Sequence, residues 1–420
     1  MKNTREIESD VRIYCRHYTD TFQFAKDSVM ISEDGNEYID FFSIAGSMNY
    51  GHNNEHIKEA LIKYIQCDGI INALDIRTTA KKSFLEAFDQ YILQARNLNY
   101  KIQFCGPSGT NAVEAALKLA RKVTGRTGIF ALMGSFHGMS SGSMAVTGDR
   151  RKHKYLGHYT NDVTFLPHPE IKPDFDTVDF MKFILENNYS GVDVPAAFIF
   201  ETVQAEGGIY LMPADVLMGI SEICKEYGII LICDDIQTGC GRTGTFFSFE
   251  KMGIVPDLVT MSKSISGIGN PMSILLIKPE YDQWVPGEHS GTFRGNQLAF
   301  VTATAAIDYW KTSEFEKKIQ RKEKIISDFL HKEIMKIDSR LIIRGVGMIW
   351  GIDFVGIKKD NLPQYIRQAC YQSGLIIECA GKEGTVLKIM PALTISDELL
   401  DKGLEILEKT IKKCVNSFVP

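Results

Sequence analysis

Between about residues 100 and 300 the chain alternates short, mostly apolar runs with longer stretches of helical period. The apolar runs are 101–104, 128–133, 163–166, 196–203, 229–233, 258–261 and 273–277. They are too short for helices, and most lack the polar alternation of a half-exposed strand. Strands buried on both faces are therefore predicted. Residues 112–123, 177–187, 213–227 and 298–312 are predicted as the helices between them. Buried strands alternating with helices imply an α/β fold, a mostly parallel sheet covered on both sides.

The pattern changes after residue 305. Residues 314–336 read as a charged amphipathic helix, 342–354 as one or two strands broken at Gly345 and Gly347, and 362–373 and 397–415 as helices. Strands and helices without strict alternation predict a smaller α+β domain. Near the start, 30–42 reads as a hairpin around the turn signal Glu33-Asp34-Gly35-Asn36. The expected organisation is an N-terminal segment, 1–58, packing with a small C-terminal domain, 306–420, and a large domain, 59–305, between them.

Composition narrows the function. The chain has 420 residues, 44% hydrophobic and 24% charged, the balance of a soluble globular protein. Its 47 basic and 52 acidic side chains leave a formal charge of −5, so no basic excess is available for nucleic acid. No apolar run has the ~20 residues of a membrane helix, and the polar start, MKNTREIESD, reads as no targeting signal. Nine cysteines without a CxxC pair argue against a disulfide framework and for free thiols in a reducing cytoplasm. The nine histidines are expected to form no HxxxH pair and so no zincin-type site, and no metal is expected.

In open α/β sheets, ligands bind beyond the carboxyl ends of the strands. After the run 101–104 come Ser108, Gly109 and Thr110, then an Ala-rich helix. This is either a phosphate cup or an ordinary helix cap. After 128–133 come Phe136 and His137, a stacking platform or plain loop packing. Glu201 and Glu206 follow 196–200, and Asp234 and Asp235 follow Cys233. A carboxylate at a buried strand end needs a partner. A divalent metal held by Asp234, Asp235, Glu201 and Glu206 is one reading. The protonated ring nitrogen of a cofactor is another, and simple capping of the next turn is a third. Lys263 follows 258–261, where desolvation would lower its pKa and make it nucleophilic. An anion cup, an aromatic platform, a buried carboxylate and a strand-end lysine together match the demands of pyridoxal 5'-phosphate: phosphate donors, a ring stack, an acid for the pyridinium nitrogen and a Schiff-base amine.

The segments SGTNAVEAALKLAR (108–121), FHG (136–138), ETVQAEGG (201–208), DDIQTGCGRTG (234–244), SKS (262–264) and GTFRGN (291–296) resemble the class III, fold-type I pyridoxal-phosphate-dependent aminotransferases over nearly the whole chain. The resemblance implies that Lys263 holds the cofactor and shuttles the proton, and that Asp234 binds the pyridinium nitrogen. Gln237 would contact the ring hydroxyl. Gly109 and Thr110, with Ser108 near them, would cradle the phosphate. Phe136 would stack on the ring with His137 beside it, and Glu201 would help to orient the Asp234 end. Thr292 would reach the phosphate of a neighbouring subunit, which implies a homodimer or a dimer of dimers.

Within the class, the segments 8–14, 49–54, 193–209, 234–250 and 290–300 resemble the diaminobutyrate–2-oxoglutarate group. That likeness implies transfer of the amine of L-glutamate to L-aspartate 4-semialdehyde. Two departures from the wider class bear on the substrate. Met139 stands where many members have arginine after FHG, and Lys388 stands where many have the arginine that pairs with Glu206. A lysine offers a point charge in place of a bidentate fork. Arg294 is a second candidate for carboxylate binding. The rival readings are another ω-amino-acid:2-oxo-acid aminotransferase, an aminomutase or racemase with the same cofactor, a metal-dependent hydrolase, and a non-enzymatic binding role.

Overall fold

A computed structural model describes residues 7–154 and 162–417. Its centre is a seven-stranded sheet: β1 (Lys101–Phe104), β2 (Ile129–Leu132), β3 (Val163–Leu166), β4 (Ala197–Phe200), β5 (Ile230–Asp234), β6 (Leu258–Met261) and β7 (Ile274–Ile277). The spatial order is β1-β7-β6-β5-β4-β2-β3. All run parallel except β7, which is antiparallel to both β6 and β1. The carboxyl ends of the other six strands therefore share one edge, and the segments that follow them meet there.

Side-chain alternation sorts the strands between two cores. Ile129, Ala131, Ala197, Ile199, Ile230 and Ile232 face one side, where the helix Gly109–Thr124 lays down Ala112, Ala115, Ala116, Leu119 and Ala120. Phe130, Leu132, Phe198, Phe200, Leu231 and Cys233 face the larger core on the other side. The small alanines let the helix backbone lie close to the sheet, and Gly125, at φ 68°, ends it in a left-handed cap. The same alternation separates the two neighbouring carboxylates. Asp234 continues the row of Ile230 and Ile232, and Asp235 continues the row of Leu231 and Cys233. The expectation that this strand ends at Cys233 is one residue short, because Asp234 pairs in register with Thr260.

Two four-stranded sheets, and a two-stranded pair of Val203–Gln204 with Tyr210–Leu211, complete the framework. In one, Phe22–Lys26, Val29–Ser32 and Glu37–Asp40 form a meander, and Leu375–Ile376 adds to it in parallel beside Glu37–Asp40. In the other, Ile342–Val346, Ile349–Asp353, Val386–Ile389 and Glu378–Ala380 are antiparallel neighbours. Of the breaks expected at Gly345 and Gly347, only the one at Gly347 is found, since Gly345 pairs with Trp350 inside the strand. The guanidinium of Arg242, wholly buried, donates to Asn49 Oδ1, Met348 O and Pro391 O, and so ties three distant segments together. Burial lowers its pKa to about 9, which leaves it charged at neutral pH. All nine cysteines are free. Among the described residues no helix is long and apolar enough to cross a membrane.

Asp235 is buried with no cation beside it. Thr238 Oγ1 donates to its Oδ1 at 2.9 Å and Ser248 N to its Oδ2 at 3.2 Å. Burial raises its pKa from 3.8 to about 7. Between those two values the folded chain holds a proton that the unfolded chain has lost. Asp235 therefore contributes stability at the acid end of the window that is lost as pH rises toward 7. Asp235→Asn should gain stability relative to the parent from pH 5 to 7, and the difference should level off above pH 7. Denaturant midpoints of both proteins across pH 5–8 check this. A pH-independent difference would mean that Asp235 titrates in the ordinary carboxylate range.

Candidate active site

At the carboxyl edge of the sheet lies a cavity of about 180 Å³. Its walls include Gly109 and Thr110, Phe136 to Gly138, Glu201, Glu206, Asp234, Gln237 and Lys263. Residues from five strand ends thus meet around one space, as parallel packing requires.

Asp234 is 4% exposed and needs partners for its carboxylate. His137 Nδ1 donates to Oδ2 at 2.7 Å, and Thr260 Oγ1 and Ile236 N donate to Oδ1 at 3.1 and 3.2 Å. The histidine expected beside the aromatic platform is thus turned to the acid. Its other nitrogen, Nε2, is buried without a partner. Above it, Phe136 is held by its N–H, which donates to Glu201 Oε1 at 2.8 Å. Burial, with Asp234 nearby, pushes the Glu201 carboxyl well above its usual range.

Lys263 follows β6 with φ at 49°, a left-handed conformation that strains a residue with a side chain. Its amine enters no hydrogen bond or ion pair among the described residues. Burial lowers its pKa to about 8. Lys388, outside the cavity lining, meets Glu206 Oε1 with its Nζ at 2.5 Å, the lysine side chain being 2% exposed. Burial alone would raise the Glu206 carboxyl, but Lys388 and Lys263 outweigh it and hold the pKa at about 2. Gln237 Nε2 donates to Glu206 Oε1 at 3.3 Å and to Ala45 O at 2.8 Å, while its Oε1 is left unpartnered. Ala45 belongs to a left-handed turn in which Ser43, Ile44 and Ala45 all have positive φ. Nothing in the sequence marked this turn as part of the site.

Besides Lys388, three expected residues stand apart from the cavity of the single chain. Ser108 precedes the helix Gly109–Thr124 in extended conformation and makes no side-chain cap. Thr292 opens a short 3-10 turn, Thr292–Gly295, on the surface. Arg294 donates to Asp75 Oδ2 at 2.5 Å and to His289 O at 3.0 Å. The four carboxylates of the metal reading do not converge, because Asp235 faces the opposite core, and the described residues form no metal-binding group of three. The expectation of no HxxxH pair is wrong, because His52 and His56 stand four residues apart. They face different acids, Asp40 at 2.9 Å and Asp308 at 2.8 Å.

The family model for class III aminotransferases matches residues 16–411. The chain is 49% identical over 416 residues to a diaminobutyrate–2-oxoglutarate transaminase of Halalkalibacterium halodurans, covering 98% of this chain and 96% of that protein. It is 46% identical over 417 residues to one of Bordetella parapertussis, covering 99% and 95%. Its fold is similar to a solved taurine:2-oxoglutarate aminotransferase from Bifidobacterium kashiwanohense in complex with PLP and glutamate, with a TM-score of 0.84 at 22% identity over 94% of this chain and 93% of that one.

An amine with its pKa near 8 is about half neutral at that pH, where an ordinary lysine is below about 1% neutral. In the cofactor-free protein, acetylation of Lys263 by limiting acetic anhydride should rise to a plateau above about pH 8 to 9. The surface lysines should still be climbing there. Peptide mapping across pH 6–10 measures both. A Lys263 profile parallel to the surface lysines would mean that its surroundings do not depress it.

Proposed function

The chain belongs to the class III aminotransferase family, and we propose that it moves the amine of L-glutamate to L-aspartate 4-semialdehyde, giving 2-oxoglutarate and L-2,4-diaminobutyrate. The chemistry rests on one observation: a half-buried amine, Lys263, without a partner among the described residues, and a buried carboxylate, Asp234, share one cavity. The substrates rest on full-length identity to transaminases of that name. A reducing cytoplasm suits nine free thiols.

The residues fit pyridoxal 5'-phosphate. Among the described residues the Lys263 amine has no partner, Gln237 Oε1 is an orphaned acceptor at the wall, and a Cβ at Gly109 would crowd Ile236 at 3.0 Å. When bound, the cofactor supplies the electron sink for breaking a bond at the amine-bearing carbon. Lys263 would hold it and afterwards carry the proton between carbon atoms. Asp234 would accept the N–H of the ring, and the His137 bond fixes the carboxylate for that task. Phe136, anchored on Glu201, would cover one ring face. Gln237 would meet the ring hydroxyl, and Gly109 and Thr110 the phosphate.

The Glu206–Lys388 pair offers a way for one pocket to take two substrates. A fixed cation would suit the carboxylate of glutamate and be left unpaired by the diamine, at considerable cost. Paired with Glu206, Lys388 presents no net charge. Released, its flexible stem carries an ammonium to the glutamate carboxylate. Met139 leaves the opposite flank uncharged.

A second copy of the chain would complete the site. The exposed apolar side chains Ile70, Ile71, Leu74 and Ile76 adjoin Phe293 and Thr292, since Asn72 Nδ2 donates to Thr292 O and Ala73 N to Gly295 O. An apolar face this continuous suits a partner. On this reading, Thr292 reaches the phosphate bound by the partner.

With the loaded enzyme, glutamate and diaminobutyrate should each bleach the aldehyde absorbance in separate half-reactions. A protein bleached by neither would not be this transaminase. Lys388→Met should slow the glutamate half-reaction far more, by about tenfold or beyond, than the diaminobutyrate one. Equal losses would make Lys388 structural. Phe293→Asp should lower the sedimenting mass toward that of one chain. An unchanged mass would place the subunit contact elsewhere.

A further inference from the structure

Four consecutive residues, Ser43, Ile44, Ala45 and Gly46, are left-handed, with φ of 47°, 45°, 57° and 79°. Three of them carry side chains, so the turn is strained and persists only where its surroundings over-determine it. Two of its carbonyls reach toward the cavity. Ala45 O accepts from Gln237 Nε2 at 2.8 Å, and Gly46 O accepts from Ser264 Oγ at 2.7 Å. Ser264 Oγ in turn receives Asn49 N at 3.0 Å, so its hydroxyl is fixed in both directions. Gln237 lines the cavity, and Ser264 directly follows Lys263. One turn thus holds residues that follow β5 and β6, the strand ends that bring in the acid and the amine.

Asp40 secures the turn where the chain enters it. It ends the strand Glu37–Asp40 and is 2% exposed. Its Oδ1 accepts from Phe42 N and Ser43 N, both at 2.8 Å. An aspartate that bonds N–H groups two and three residues on is common in turns, and by itself carries no more than that. Here the second oxygen is engaged as well. A carboxylate only accepts, so His52 Nε2 donates to Oδ2, at 2.9 Å. The histidine is fixed from behind, because His52 and Asp27 exchange both backbone bonds at 2.7 Å. The Asp40 N–H donates to Ser28 O at 2.8 Å. With both oxygens and the backbone tied, the carboxylate fixes the direction of the two N–H groups that open the turn. Asp40 does not line the cavity, so any effect it has there passes through the turn.

On the reading that the cavity takes pyridoxal 5'-phosphate, we propose that Asp40, backed by His52, is a positioning residue: it holds the left-handed turn, and through Ala45 O and Gly46 O the turn fixes Gln237 and Ser264 beside the cofactor site. The strain of the turn and the buried ion-pairing carboxylate then belong together. The turn is needed to aim two successive carbonyls at two different strand ends, and the carboxylate is what keeps it closed.

The test has two arms. In the cofactor-free protein, Asp40→Ala should speed hydrogen exchange about tenfold in peptides covering 41–49, 236–241 and 262–268, read by mass spectrometry, and leave 229–233 and 258–261 unchanged. In spectroscopic titration with pyridoxal 5'-phosphate, Asp40→Ala should weaken binding about tenfold. Asp40→Asn keeps an acceptor for both N–H groups and should restore most of the loss. In a background of Gln237→Ala with Ser264→Ala, the contacts through which Asp40 acts are gone, and Asp40→Ala should cost less than about twofold. If Asp40→Ala does not fold, His52→Ala enters the same cycle, with a loss of about threefold in the parent and none in the background. Equal losses in the two backgrounds, unchanged binding, or faster exchange confined to 41–49 would overturn the proposal. A parent protein that binds no pyridoxal 5'-phosphate would sink the cofactor reading instead, and the exchange arm would still decide whether Asp40 positions Gln237 and Ser264.

Discussion

A carboxylate at the end of a buried strand is the constraint on which this structure turns. β5 lies near the middle of a sheet covered on both faces, and Asp234 at its end is almost wholly buried. The charge is kept by donors from two other strand ends, His137 after β2 and Thr260 on β6. Both are available only because those strands run parallel to β5 and finish on the same edge. Parallel topology is therefore what lets a buried acid exist here, and what brings Lys263 and the Gly109 turn to the same place.

Much of this was legible in the chain because the large sheet writes itself in short apolar runs. The bounds of β1, β3 and β6 can be read to the residue, since polar or turn residues follow β3 and β6 at once and β1 after the single residue Cys105. Asp234 extends β5 by one position because pairing with Thr260 outweighs the low strand preference of aspartate. The small sheets were harder. Leu375–Ile376 is two residues long and pairs with Glu37–Asp40, more than three hundred residues away, so neither length nor periodicity announces it. The side chains at the strand ends were visible as candidates, but their partners were not. Nothing local tells His137 to face Asp234, or Gln237 to face the carbonyl of Ala45.

The same division holds for charge. Composition shows an ordinary balance of acids and bases, and only the fold shows where single charges are isolated. Arg242 carries its charge among three carbonyl-type acceptors without a carboxylate in contact. Removing it would leave Asn49 Oδ1, Met348 O and Pro391 O without their donor, which is the expensive way to lose a buried hydrogen bond. Because Pro391 follows the strand that carries Lys388, the cohesion of the core and the placement of the Glu206–Lys388 pair depend on one guanidinium.

The left-handed turn at Ser43–Ala45 has a consequence for how the protein breathes. Each side-chain-bearing residue held at positive φ stores roughly 1 kcal/mol or more, released when the segment relaxes. Strain raises the energy of the closed turn and leaves its opened forms untouched, so local opening costs less there than in a relaxed turn of equal burial. Amide protons of residues 43–46 should accordingly exchange with solvent well before those of the sheet. Since the turn also holds Gln237, that wall of the cavity is the one through which thermal fluctuations first admit water.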